Sequence, residues 1–193
     1  MFLNKQYLLR NMAKNETINN KKEEVLYENK QIFTSKNKYD VFLSHSYLDK
    51  DLVIVLVSLF NKAQYSVYGD WVIDKQLNRS SVSRKTSEIL RDRLDASRSL
   101  AYVATCNTTL SKWCPWELGY GDGKKKGRCA ILPVLNDESS SFKGQEYLSL
   151  YPHIEYDKRA SDLGYDFWIC DNENREKYVI LSNWLDGKNP TTH

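Results

Sequence analysis

Long basic stretches, long apolar runs and a signal-peptide pattern are all missing from this sequence, and each absence excludes a class of protein. The net charge is only +3, and the longest basic run is the three lysines at 124–126, so nucleic-acid binding is not expected. No apolar run of about 18 residues occurs, and Asn4, Lys5 and Gln6 interrupt the apolar residues near the start. We therefore expect a cytoplasmic protein with neither a membrane nor a nucleic-acid partner.

The cysteines also lack a recognisable pattern. Cys106, Cys114, Cys129 and Cys170 show no CxxC spacing, and no histidine lies at a separation typical of zinc sites. We expect reduced thiols, as in a cytosolic protein, and neither a metal nor a cofactor.

Aromatic residues, by contrast, are plentiful. The chain has 13 Tyr and 5 Trp, and its aromatic content of 12% favours flat ligands and protein contacts or, equally simply, core packing. With 193 residues, 41% hydrophobic and 27% charged, the chain has the composition of a globular protein that buries a core. One domain with extensions is expected.

Changes in composition divide the chain into three parts. Residues 1–37 form a polar extension rich in Lys, Asn and Glu, and either two weak helices or a mobile arm fits it. Residues 38–137 carry the clearest apolar segments and form the predicted domain core. Residues 138–193 are expected to complete the same domain with an edge strand and a final helix over 173–186.

The apolar segments predict a parallel sheet. Short apolar runs indicate five strands, over residues 39–44, 65–68, 100–104, 129–135 and 153–156. Helices are predicted over 49–62 and 82–96, where apolar side chains recur every three to four residues. Strands and helices that alternate in this way give an α/β fold with helices on both faces. We predict a flavodoxin-like sheet of strand order 2-1-3-4-5.

Polar and aromatic residues converge on one edge of this predicted sheet. Ligands of such sheets bind beyond the carboxyl ends of the strands, where the strand order reverses. The residues placed at this edge are Ser44, His45, Ser46, Gly69, Asp70, Trp71, Thr105, Cys106, Asn107, Trp113 and Glu117. Nearby, Gly119, Gly121 and Gly123 match no phosphate-loop spacing and indicate instead a helix packed closely on the sheet.

The segments that carry these residues resemble a TIR (Toll/interleukin-1 receptor) domain of the bacterial type. The resemblance covers about residues 38–137, and it is carried by the order and spacing of segments 39–46, 65–71, 99–103 and 111–118. It implies the TIR fold. For those TIR proteins that are enzymes, it implies cleavage of NAD⁺ at the nicotinamide–ribose bond, with release of ADP-ribose or of a cyclised or transferred product.

The resemblance also implies a catalytic residue and partners. Glu117 matches the catalytic Glu of TIR enzymes by its place in the Trp-x-x-x-Glu run that begins at Trp113. NAD⁺ is then a substrate and no cofactor is implied. Other TIR protomers are implied as assembly partners, and a Thoeris-type role in phage defence implies an effector that responds to the product.

A single carboxylate is enough for this reaction. Nicotinamide leaves NAD⁺ as a neutral base, so the general acid that most glycosidases need is unnecessary. Glu117 can stabilise the oxocarbenium-like ribose or form a transient adduct with it. The structural alternative is a solvated Glu that the dipole at a helix N-terminus favours.

The residues after the first strand have two interpretations. Ser44, His45 and Ser46 either hydrogen-bond the ribose or diphosphate of the substrate, or Ser46 caps a helix beside an exposed imidazole. The sequence leaves both open.

The remaining expected substrate-binding residues are also open to structural interpretations. Asp70, beside Trp71, either holds a ribose or orders the following loop, and Arg79 either meets a phosphate or is solvated. Trp113 either stacks on a base or fills the core, whereas core packing is favoured for Trp116.

Two other functions fit parts of the sequence. A non-enzymatic TIR adaptor would act by self-assembly through residues 71–84 and the opposite face, and it would not need Glu117. A nucleoside or deoxynucleoside transferase would use a Glu against a sugar on the same sheet. Assays with NAD⁺ and with nucleosides separate these alternatives from NAD⁺ cleavage.

Overall fold

The structure is a computed structural model that describes residues 2–13, 18–36, 38–69, 83–136, 145–160 and 164–192. The strands are β1 Leu3–Asn4, β2 Tyr39–Ser44, β3 Val67–Tyr68, β4 Ser97–Ala104, β5 Cys129–Leu135, β6 His153–Lys158, β7 Tyr165–Cys170, β8 Lys177–Ile180 and β9 Thr191–Thr192. The helices are α1 Lys5–Ala13, α2 Ile18–Lys36, α3 Lys50–Lys62, α4 Arg84–Asp95, α5 Trp113–Lys125 and α6 Leu181–Leu185.

Strands β2 to β6 form the predicted parallel sheet. Strands β3, β2, β4, β5 and β6 lie side by side in that order, and each neighbouring pair is parallel. This is the order 2-1-3-4-5 expected for the strands from position 39 onward, so the prediction is confirmed. Every residue of β2 is buried, as is typical of a strand that helices cover on both faces.

The sheet then continues in a way that the sequence analysis did not predict. Strand β6 pairs with β5 on one side and antiparallel with β7 on the other, so its predicted position at the edge is wrong. Strands β8 and β9 extend the antiparallel part. The predicted helix over 173–186 is also wrong, because β8 occupies 177–180 and only α6 is helical. Backbone pairing with β7 outweighs the helical spacing of the apolar residues there.

The two faces of the sheet carry separate hydrophobic clusters. Val41 and Leu43 of β2 belong to the cluster on the α3 face, whereas Phe42 belongs to the cluster under α4 and α5. Side chains alternate along a strand, so Ser44 lies on the same face as Phe42. This alternation directs Ser44 toward α5.

The N-terminal extension packs on the core as helices. Leu8 of α1 and Val25 of α2 are buried in the cluster that contains α3. Helix α3 is therefore covered by the sheet on one side and by α1 and α2 on the other, which explains why Val53, Ile54 and Val57 are buried outside its predicted apolar stripe. Of the two alternatives for the extension, the structure has the helices in the described residues 2–13 and 18–36.

Two asparagines tie α2 to the rest of the molecule. Asn29 Nδ2 donates to the Val67 carbonyl at 2.6 Å, and the Val67 amide donates to Asn29 Oδ1 at 2.8 Å. Asn61 Nδ2 of α3 donates to the Val25 carbonyl at 3.0 Å. The side chain of Asn29 thus satisfies both backbone groups of a residue in the outer strand β3.

Among the helices that the structure describes, none combines the length and apolar character that a membrane crossing requires.

Candidate functional site

The candidate site lies at the carboxyl ends of β2 and β4. Ser44 is the last residue of β2, and it pairs in register with Tyr102 of the parallel strand β4. After β4, a short turn leads into α5, which begins at Trp113. Parallel strands end at the same edge of a sheet, so the chain brings the end of β2 and the start of α5 together.

A hydrogen bond between Ser44 and Glu117 forms the centre of this site. Ser44 Oγ donates to Glu117 Oε2 at 2.6 Å, a short distance typical of a hydroxyl bound to a carboxylate. Both residues are fully buried, at 0% exposure. A buried carboxylate costs free energy, and such groups concentrate at functional sites. The solvated Glu of the structural alternative is not what the structure shows.

Tyr102 adds a protonated phenol to the surroundings of this carboxylate. Burial raises the pKa of Tyr102 well above its usual value, and the nearby Cys114, Tyr147 and Glu117 raise it further. The phenol therefore stays neutral at all physiological pH values, and the ring packs in the cluster under α4 and α5.

His45 and Ser46 are buried directly after β2. His45 Nδ1 lies 2.7 Å from the Leu43 carbonyl, and the side chain is 1% exposed, so the exposed imidazole of the structural alternative is not found. Ser46 Oγ accepts a hydrogen bond from the Leu48 amide at 3.3 Å and caps the short 3₁₀ turn at Tyr47–Asp49. The capping alternative for Ser46 therefore holds in this structure.

A second polar cluster joins the loops after β2 and β4; Thr105 and Asn107 were expected at this edge, but the part played by Asp49 was missed. Thr105 Oγ1 donates to Asp49 Oδ2 at 2.5 Å, and Asn107 Nδ2 donates to Asp49 Oδ1 at 2.7 Å. Asp49 is 3% exposed at the start of α3. In the sequence it resembles an ordinary capping residue, and nothing there links it to positions 56 and 58 residues away.

A cleft of about 460 Å³ opens between the starts of α4 and α5. Its lining combines three cationic side chains with two indole rings and two hydroxyls: Ser83, Arg84, Ser87, Arg91, Lys112, Trp113 and Trp116. The volume is within the range of small-molecule sites, and the lining suits an anionic ligand that carries a flat ring.

The two tryptophans differ in burial, and both line the cleft. Trp113 is 5% exposed, and its ring meets that of Trp116 edge to face, with centroids 5.5 Å apart. Trp116 is only partly buried, and the Arg91 guanidinium lies 5.3 Å above its ring. Core packing was favoured for Trp116, but this ring is only partly buried and lines the cleft, with Tyr120 stacked on it.

The cleft and the buried carboxylate are neighbours on α5. Trp113 and Glu117 are four residues apart and share one face of the helix. Trp113 lines the cleft and Glu117 does not, so the cleft reaches to within about one helical turn of the Ser44–Glu117 pair. Asp70, Trp71 and Arg79, which the sequence analysis also assigned to substrate binding, lie outside the described residues.

Comparison with known proteins identifies relatives. The chain is 45% identical over 152 residues to the "Probable 3' cyclic ADP-D-ribose synthase ThsB'" of Bacillus cereus, an alignment that covers 78% of this chain and 77% of the relative. The chain belongs to the bacterial TIR proteins of the Thoeris type. This family assignment agrees with the resemblance carried by the segments around Ser44 and Glu117. No family model matches the chain.

Other matches of this TIR protein cover less of this chain. It is 32% identical over 137 residues to the "Putative cyclic ADP-D-ribose synthase TIR2" of Cytobacillus dafuensis, covering 63% of this chain and 36% of that protein. Among solved structures, the TIR domain of the Toll-related receptor TRR-2 from Hydra magnipapillata matches 57% of this chain and 78% of its own, at 20% identity and a TM-score of 0.44.

Proposed function

We propose that this TIR protein cleaves NAD⁺ at the nicotinamide–ribose bond and joins the resulting ADP-ribose into a cyclic product, with Glu117 as the catalytic residue. The product would act as a signalling nucleotide on an effector in phage defence. Both curated relatives are named as cyclic ADP-D-ribose synthases, which supports the cyclic product.

The observation that carries the proposal is the fully buried Glu117 carboxylate held by Ser44. An ionised carboxyl in such a place is expensive for the fold, and such groups concentrate at functional sites. The same low-polarity surroundings strengthen its attraction to a developing positive charge. The oxocarbenium-like ribose of NAD⁺ cleavage carries that charge.

The chemistry needs no second acid at this site. Nicotinamide is bound to ribose as a pyridinium and departs as a neutral base, so the bond breaks without proton transfer to the leaving group. Glu117 then stabilises the ribosyl cation until a nucleophile attacks its anomeric carbon. For a cyclic product that nucleophile is a group of the same ADP-ribose, and exclusion of water from the site favours it over hydrolysis.

The cationic cleft is suited to the rest of the substrate. Arg84, Arg91 and Lys112 can neutralise the diphosphate, and Arg is well matched to phosphate oxygens. The partly buried face of Trp116 can stack on a base. A diphosphate bound there would lie one helical turn from Glu117, on the far side of Trp113.

The described state is closed to substrate. Glu117 is 0% exposed, so NAD⁺ cannot touch it until surrounding side chains move. We therefore expect the dilute protein to be nearly inactive and assembly with other TIR protomers to open the site. This step would couple catalysis to a trigger.

The test is nicotinamide release from NAD⁺ by the purified chain at several protein concentrations, with products identified by mass spectrometry. Glu117→Gln keeps the size of the side chain and its ability to accept from Ser44, but it removes the charge. We expect nicotinamide release to fall by about 10²–10³-fold, the loss typical of one strong electrostatic contributor.

Glu176→Gln is the matched control, since Glu176 is exposed in the turn before β8 and should leave the rate unchanged. Circular dichroism and the melting temperature of each variant exclude unfolding as the cause. Equal rates for wild type and Glu117→Gln would refute the role of Glu117. Nicotinamide release with only linear ADP-ribose as product would refute the cyclisation.

A further inference from the structure

Three metal-binding side chains converge on one face of the sheet, away from the Ser44–Glu117 pair. His153 of β6 and Cys170 of β7 are direct register partners in the antiparallel ladder. Glu155 follows His153 by two residues, and side chains two apart on a strand point to the same face. One imidazole, one carboxylate and one thiol therefore meet at the junction of the parallel and antiparallel parts of the sheet.

The distances fit a common ligand. One donor atom from each side chain lies within 4.8 Å of the other two, and His153 Nε2 is 3.2 Å from Glu155 Oε1. Zinc bonds of about 2.0–2.3 Å place neighbouring ligand atoms of a tetrahedral site about 3.3–3.7 Å apart. The nitrogen–oxygen pair, at 3.2 Å, is close to this separation, and the sulfur, which lies within 4.8 Å of both atoms, would have to approach them by up to about 1 Å, within the reach of a rotamer adjustment.

The burial and the charge of these three side chains also fit a bound metal ion. His153 and Cys170 are buried, at 4% and 7% exposure, whereas Glu155 is partly exposed and leaves a path to solvent. The ring of Phe2 packs edge-on against His153, with centroids 5.1 Å apart, and shields one side. A carboxylate, a thiolate and a neutral imidazole around a divalent cation give a set with no net charge, which suits this half-buried place.

A purely structural interpretation accounts for only part of the cluster. The His153–Glu155 hydrogen bond gives the imidazole one partner. The Cys170 thiol has only a long contact to the Trp168 carbonyl, at 4.0 Å, and this contact does not explain why the thiol lies beside the carboxylate. A metal ion bound by all three side chains would displace the thiol proton to the solvent.

We propose that His153, Glu155 and Cys170 form a site for a divalent metal ion of the zinc class. The combination of nitrogen, oxygen and sulfur ligands selects zinc or cobalt over magnesium or calcium. Three protein ligands leave the fourth position to an exchangeable ligand. The ion would fasten β7 to β6 and so strengthen the antiparallel extension of the sheet. The site is independent of the proposed reaction at Glu117.

The sequence gives no sign of this site because the ligands are paired by a strand ladder. His153 and Cys170 are 17 positions apart along the chain, and the turn between β6 and β7 brings them together. The earlier expectation that no metal binds rested on spacing rules for zinc fingers, which describe ligands on short loops.

The test is titration of the full chain, stripped of metal by a chelator, with Co²⁺ as a spectroscopic probe. We expect one cobalt per chain, with a thiolate-to-cobalt charge-transfer band and the intense visible bands of tetrahedral cobalt. Zn²⁺ should displace cobalt and raise the melting temperature. Cys170→Ser should abolish the charge-transfer band, and Glu155→Gln should weaken cobalt binding at least about tenfold.

Two cysteine variants serve as matched controls. Cys129→Ser removes a buried thiol from β5, and Cys106→Ser removes an exposed thiol that could bind cobalt adventitiously. Both should keep the band. Absence of the band in the wild type refutes the site, as does a band that persists in Cys170→Ser or disappears in Cys106→Ser. Should Cys170→Ser fail to fold, the cobalt affinity of Glu155→Gln, a substitution at a partly exposed position, still tests the site. An unchanged cobalt affinity in Glu155→Gln also refutes the site.

Discussion

The role of Ser44 in the structure differs from the role that the sequence analysis expected. Ser44 was expected to contact the substrate, but its hydroxyl is committed to Glu117 at 2.6 Å. A short serine at the end of a buried strand reaches the carboxylate because the strand alternation places it on the α5 face. At the residue scale, Ser44 is best described as a positioning residue for Glu117.

Ser44→Ala should therefore lower the rate of NAD⁺ cleavage without unfolding the protein. A hydrogen bond to a charged group contributes about 1.5–3 kcal/mol, which corresponds to a fall in kcat of about 10- to 100-fold. KM should change little, because the substitution does not touch the cleft. Nicotinamide release at varied NAD⁺ concentration measures both constants.

Ser99→Ala is the matched control for this prediction. Ser99 is another buried serine, and its hydroxyl donates to the Asp40 carbonyl at 2.7 Å, outside the candidate site. It should lose a comparable amount of stability and keep kcat. A larger loss of kcat in Ser99→Ala than in Ser44→Ala would contradict the positioning role.

At the scale of elements, the placement of α5 depends on one glycine. A Cβ on Gly121 would lie 2.8 Å from Leu100 Cδ1 and 3.3 Å from Cys129 Sγ, both buried under the helix. A Cβ on Gly119 would meet nothing within 4 Å. The sequence analysis assigned the glycines to close helix–sheet packing, and the structure assigns that role to Gly121.

Gly121→Ala and Gly119→Ala should therefore change stability in opposite directions. Overpacking under α5 should cost about 1–3 kcal/mol in Gly121→Ala. Gly119→Ala should gain about 0.5–1 kcal/mol, because alanine is the better helix former in open space. Urea unfolding of both variants measures the difference, and a stabilised Gly121→Ala would show that α5 does not approach the sheet so closely.

Some elements were predictable and others were not, for a physical reason. Strands β2, β4 and β5 are continuous apolar runs because helices cover both of their faces, and such runs are visible in the sequence. Strand β7 carries the buried Asp166, whose partner Tyr65 lies 101 positions away. The Ser44–Glu117 contact spans 73 positions. Contacts of that range depend on the completed fold, so no local pattern reports them.

At the scale of the whole molecule, Asp166 links the antiparallel extension to the α3 side of the core. Its Oδ1 accepts from Tyr65 Oη at 3.0 Å, and the Phe167 ring stacks on Phe60 with centroids 3.7 Å apart. Burial raises the pKa of Asp166 above its usual value, although the Phe167 amide, Tyr65 and Arg159 oppose this.

The raised pKa of Asp166 predicts how the stability of the fold depends on pH. The folded chain holds the Asp166 proton more tightly than the unfolded chain does. The contribution of Asp166 to the free energy of unfolding is therefore greatest below the unfolded pKa of about 3.9, and it is lost as the pH rises through the folded pKa. Asp166→Asn cannot ionise and escapes this loss. The stability of the variant relative to wild type should rise from about pH 3 to about pH 7.

Urea unfolding of both proteins across this pH range measures the effect. Glu173→Gln removes a carboxylate from an exposed turn and should show no comparable trend. A relative stability of Asp166→Asn that falls with rising pH would mean that Arg159 and the hydrogen-bond donors outweigh burial.

The pairing of Asn29 with Val67 bears on how copies of the chain can join. An outer strand with open amide and carbonyl groups invites a neighbouring molecule to add its own strand. Here the side-chain amide of Asn29 in α2 bonds to the amide and carbonyl of Val67 in β3, so these two groups are not available to a strand of another molecule. Protomers that meet at β3 would therefore do so through side-chain surfaces, without a backbone ladder that crosses from one molecule to the next.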